Sequence, residues 1–166
     1  KIILIEKQLA PRELLIELLE IRKKRKKPFF DEKTQLDLNS LWISSLVKAA
    51  EILPKNNYLK SAEKLLLNLE KKFAKPKIFH SSSSNTVFLE DYAFLINALI
   101  DLADATLKVE YKIKAKEYTK EVINLFYIKE KNIFQKNPIN TNDLFFEPID
   151  ISDHTIPNGD SVMLSN

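Results

Sequence analysis

The chain has 166 residues, with 26 basic and 23 acidic side chains, a formal net charge of +3, 45% apolar residues and no cysteine. That length supports one domain with its own core, and so small a net charge gives no electrostatic case for nucleic acid as a partner. Without cysteine there is no disulfide, thiolate metal site or cysteine nucleophile, and no apolar run approaches the ~18 residues of a membrane span.

At the N-terminus, KIILIEKQL carries charge too early for a secretory leader, so a cytoplasmic protein is expected. Lys1 in first place and the apolar start SVMLSN at the end read as a fragment. The first helix is predicted from Pro11 to about Lys26, with proline in a favoured first position and Leu14, Leu15, Leu18 and Leu19 at helical spacing. Its basic end, Arg22 to Lys27, reads as a solvated helix terminus suited to the dipole, with a phosphate or membrane-surface role as the alternative. No aromatic residue interleaves that run, which weakens a nucleic-acid role further.

A second helix is predicted over about Gln35 to Leu53, stopped by Pro54, and a third over about Asn57 to Phe73. KIFH and the serines 81–84 form a connection in which His80 reads as a solvated loop residue. The fourth helix opens in FLEDYAFLI and continues to about Thr106. The fifth covers about Val109 to Tyr127. Two β-like pieces, NIFQ (132–135) and DLFFEPI (143–149), are expected to pair as a hairpin, and a last helix starts near Asp160.

Helices two and four are apolar over most of their circumference, whereas three and five are striped, so buried inner helices are expected to alternate with outer ones. Matching residues recur 53 positions apart: Tyr58 and Tyr111, Ala62 and Ala115, Leu69 and Val122, Phe73 and Phe126, Ile43 and Ile96, Leu46 and Leu99. Self-similarity at a helix-pair period marks stacked helical hairpins. The single glycine, Gly159, against roughly 12 for average usage, is expected where backbone geometry requires it.

In such an array every inner helix starts at the same end. Asp31, Lys33, Asp37 and Asn39 precede or open the second helix, Glu90, Asp91 and Tyr92 the fourth, and Asp153, His154, Asn158 and Asp160 the sixth. They are expected at one rim. Acids at helix starts also cap orphan N–H groups, each contributing about 0.3–1 kcal/mol through the dipole, so a structural role stands beside the pocket role for each.

The ordered set Arg22, Arg25, Pro28, Asp31, Lys33, Asn39, then FLEDYAFLI (88–96), then Asp153, Pro157, Gly159 and Ser161 resembles the helical region of the spermatogenesis-associated, bacterial thioredoxin-domain-containing family. Leu38, His154 and Asp160 depart from the family's usual residues. The resemblance implies an all-α fold, a partial α/α toroid like the six-hairpin glycosidases and N-acylglucosamine 2-epimerases. About three hairpins of it fit in residues 1–166, without the family's N-terminal thioredoxin-like domain. It implies a carbohydrate or other small-molecule ligand, with that absent domain as partner.

Glycoside chemistry needs two carboxyl groups on one cavity. Glu90 or Asp91 with Asp153 or Asp31 are the candidates. Epimerisation needs a base beside the sugar carbon, for which His154 is placed. Lys33, Asn39, Tyr92, Asn158 and Asp160 are candidate substrate contacts. No cofactor is expected, and no metal, because the two histidines show no ligand spacing. The alternative is a non-catalytic scaffold in which the acids serve only as caps; an open solenoid groove is a third reading.

Overall fold

The computed structural model describes residues 11–53, 57–73, 78–139, 152–153 and 155–166. It divides into two units, Lys1–Glu32 and Lys33–Asn166. Six helices and one two-stranded sheet are present among the described residues, so the chain is all-α in class. None of the described helices is long and apolar enough to cross a membrane.

The first unit contains α1 (Arg12–Lys23), three residues shorter at its basic end than the sequence predicts. Pro11 precedes it, Glu13 lies in the first turn and Arg22 and Lys23 in the last, each with the sign that suits the dipole. Lys23 pairs with Glu20 at 2.6 Å. The run Lys24 to Lys27 continues beyond the helix and is exposed.

The second unit is built on α2 (Leu36–Ile52), α3 (Tyr58–Phe73), α4 (Leu89–Thr106), α5 (Val109–Phe126) and α6 (Gly159–Ser165). α4 packs against α2, α5 and α6, and α2 packs against α3 as well. The inner helix α4 buries residues around its whole circumference, among them Phe94, Ile96, Leu99 and Leu102. The striped helices bury one face each: Ala62, Leu66, Leu69 and Phe73 of α3, and Ala115, Val122 and Phe126 of α5. Five of the six pairs spaced by 53 residues are buried on both members, and Tyr58 and Tyr111 pack against the same core. The repeat in sequence is therefore a repeat of core positions. It is visible directly where Asn97 Nδ2 donates to Ser44 Oγ at 3.0 Å, two residues 53 apart on neighbouring inner helices. Ion pairs from Lys108 to Glu63 and from Lys114 to Glu70 lace α3 to α5.

The strand Ile133–Phe134 pairs with a segment that was expected to be helical. Ile133–Phe134 (β2) pairs antiparallel with Tyr127–Ile128 (β1), Tyr127 opposite Phe134 and Ile128 opposite Ile133. Residues 143–149, the expected partner, lie outside the described residues. The physical reason is local. Tyr127 and Ile128 favour a pleated surface once α5 stops at Phe126, and Asn132, at φ 55°, supplies the left-handed residue that a tight turn needs.

Candidate functional site

Three helices, α2, α4 and α6, start around one cavity of about 360 Å³. Gln35 and Asp37 line it from the start of α2, Phe88 and Glu90 from the start of α4, and Pro157 and Asn158 from the start of α6. The starts of α2 and α4 are held by backbone from another part of the chain. The Leu36 N–H donates to the His80 carbonyl at 2.9 Å, beside a bridge between Gln35 and Ser81. The Leu89 N–H donates to the Lys136 carbonyl at 2.9 Å. Orphan N–H groups at these helix ends are thus satisfied by the connections that form the cavity wall.

The adjacent acids of α4 divide their work. Asp91 is fully buried; its Oδ2 accepts from the Phe88 N–H at 2.8 Å, closing the helix start, and its Oδ1 lies 2.9 Å from His80 Nδ1. Burial pushes the Asp91 carboxyl up to about 6, against the opposing pull of the Phe88 N–H and of His80, with Asp37 adding to the rise. Glu90 turns instead to the cavity, where its Oε1 lies 4.0 Å from Lys136 Nζ and its Oε2 is buried with no hydrogen-bond partner.

His80 is the residue that sequence reasoning placed wrongly. It is not a solvated loop histidine: its side chain is only 22% exposed and it lines the cavity. The Phe88 ring stands edge-on to it, with centroids 5.0 Å apart. With Asp91 ionised, Nδ1 carries the proton, and Nε2 keeps a lone pair 3.3 Å from the Gln35 side-chain amide. The available signal was the apolar pair Ile78–Phe79 immediately before it, which anchors the connection; Ile78 is buried. Asp37, expected at the rim though not chosen as a contact, also lines the cavity; so do Phe88 and Lys136, which were not picked because their placement depends on the fold.

The remaining candidates separate. Asn158 lines the cavity and caps α6, its Oδ1 accepting from the N–H groups of Asp160 and Ser161. Asp153 is exposed and absent from the cavity lining; its Oδ1 accepts from the Asn158 N–H at 2.7 Å, a turn contact that corrects its expected role as second carboxylate. Asp160 is likewise drawn away, its Oδ1 accepting from the Phe134 N–H. Tyr92 points to the interface of α4 with α5, donating to Glu121 at 3.0 Å and packing edge-on against Tyr118 and Phe126. Asn39 bonds back to the Gln35 carbonyl on its own helix, and Lys33 does not line the cavity. Asp31 belongs to the first unit, and His154 lies outside the described residues.

Chemically, the cavity offers two carboxylates from neighbouring inner helices, Asp37 and Glu90, an imidazole backed by a buried carboxylate, and one ammonium group. Such a set can bind hydroxyl groups, exchange a proton, or hold a cation. The chain matches no family model and no curated protein.

Proposed function

We propose that this chain is the pocket-bearing part of a carbohydrate-active helical toroid, and that the cavity at the starts of α2, α4 and α6 receives a sugar. The observation that carries this reading is the convergence of Asp37, Glu90, His80 and Asn158 on one cavity from separate helix starts. A polyol needs several fixed donors and acceptors around an open volume, and the 360 Å³ cavity supplies them. The second carboxylate of a glycosidase-like pair is then Asp37, in place of Asp153. In an epimerase-like reaction the base is His80, in place of His154. Asp91 holds the His80 ring and stabilises the imidazolium that forms when Nε2 takes a proton. The thioredoxin-like domain of the resembled family is the partner in this reading, and the setting is cytoplasmic.

The test is calorimetric titration of the full chain with a panel of mono- and disaccharides, run beside Glu90→Gln and Asp153→Asn. Glu90→Gln is expected to weaken binding at least tenfold, and Asp153→Asn to leave it unchanged. Equal affinity for all three proteins, or no binding by any sugar, contradicts the reading and returns the pocket acids to purely structural work.

A further inference from the structure

Beneath the cavity, one carboxylate oxygen each from Asp37 and Asp91 and one ring nitrogen of His80 lie within 4.8 Å of one another. The three residues come from the first turn of α2, the connection before α4 and the first turn of α4, so the cluster exists only in the folded chain. Two ligands at about 2.1 Å from a tetrahedral cation stand roughly 3.4 Å apart, and up to about 4.2 Å at wider angles. The cluster reaches this range with small side-chain adjustments.

Asp37 supplies the independent observation. It is 7% exposed and lines the cavity, yet the single donor it receives among the described residues is the Leu38 N–H, at 2.7 Å to Oδ1. Its other oxygen has no described partner, and no described lysine or arginine pairs with it. That carboxyl borders the cavity beside the carboxyl of Asp91, where one cation would meet both. Lys136, the ammonium group of the cavity, lies nearest Glu90 instead.

We propose that Asp37, His80 and Asp91 form a binding site for a divalent transition-metal cation at the base of the cavity. Two carboxylate oxygens and one imidazole nitrogen favour zinc or manganese over calcium, which takes six to eight oxygens. The cation takes the place of the proton shared by His80 and Asp91, so binding releases that proton to solvent. Water, or a sugar oxygen where one is bound, completes the coordination from the cavity. In the loaded state His80 is a ligand rather than a base, and the cation supplies the polarisation of the sugar oxygen. The site goes beyond the sugar reading and does not need it.

The experiment is calorimetric titration of the full chain with Zn²⁺ and, separately, Mn²⁺, beside Asp37→Asn and Asp153→Asn. Saturable one-site binding is expected for at least one ion, weakened at least tenfold by Asp37→Asn and unchanged by Asp153→Asn. A rise in the thermal midpoint of the wild-type chain on adding the ion checks the same site without relying on a variant's folding. No saturable binding and no thermal shift with either ion overturns the proposal, as does equal affinity in Asp37→Asn. Sugar binding without cation binding removes this site and leaves the sugar pocket standing; cation binding without sugar binding does the reverse.

Discussion

At the scale of single residues, Asp91 carries the sharpest consequence. Its carboxyl is raised from 3.8 to about 6 because burial disfavours the ionised form. A folded-state value above the unfolded one means that the folded chain holds this proton more tightly. The stability it contributes is complete below about pH 3.8 and is lost as the pH rises through about 6. Urea midpoints measured from pH 4 to 7 are therefore expected to contain an Asp91 contribution of roughly 1–3 kcal/mol that falls with rising pH. Asp91→Asn removes it, and an unchanged pH profile in that variant rules it out. Leu107 is a second local case. It ends α4 at φ 59° and is 85% exposed, a left-handed position that glycine usually fills. Leu107→Gly relieves a cost of about 1–2 kcal/mol and loses little burial, so thermal unfolding of the variant should occur at a higher temperature. A lower midpoint would show that the leucine side chain matters more than its backbone strain.

At the scale of elements, α6 is seated on α4 through Gly159. A Cβ on that residue would lie 3.2 Å from Leu89 Cγ and 3.3 Å from both Glu90 Cγ and the Glu90 amide nitrogen. The lone glycine is favoured by this close approach, since a Cβ would make Leu89 and Glu90 give by a few tenths of an ångström; its φ is not in the left-handed region. Gly159→Ala should cost about 1–3 kcal/mol in urea unfolding, by pushing α6 away from the first turn that carries Glu90. Unaltered stability would mean that the two helix starts are less tightly joined. The helices were legible in sequence because long apolar periodicity is a property of the segment itself: α4 was expected, and is found, buried on nearly every face, whereas α2, expected to be alike, leaves Leu38 and Trp42 exposed. The repeat at 53 residues was legible for the same reason. The strand Tyr127–Ile128 was not, since its pairing depends on the partner that the turn at Asn132 presents. The site was legible in part. That helix starts would meet at one cavity followed from the alternation of helices, and Glu90 and Asn158 followed from that. Asp37 was placed at the same rim without being chosen as a contact, and His80 was missed, because a loop histidine looks the same in sequence whether it faces water or a carboxylate. The turn contacts of Asp153 and Asp160 are equally invisible in one dimension.

At the scale of the second unit as a whole, two features depend on each other. The repeated helix pairs bury one continuous core, and the same stacking brings the inner helix starts to one cavity. The edges of that core show where stacking stops: Trp42 of α2 is 58% exposed and Leu38, one turn earlier, 46%. The measurement that addresses this account most directly is the map of amide chemical-shift changes in the ¹⁵N-labelled chain as a sugar that binds in calorimetry is added. The account predicts saturating shifts gathered at Gln35, Asp37, His80, Glu90 and Asn158, with α3 and the far ends of α2 and α4 unmoved. Shifts scattered over α3 and α5, or confined to residues away from the three helix starts, would contradict it.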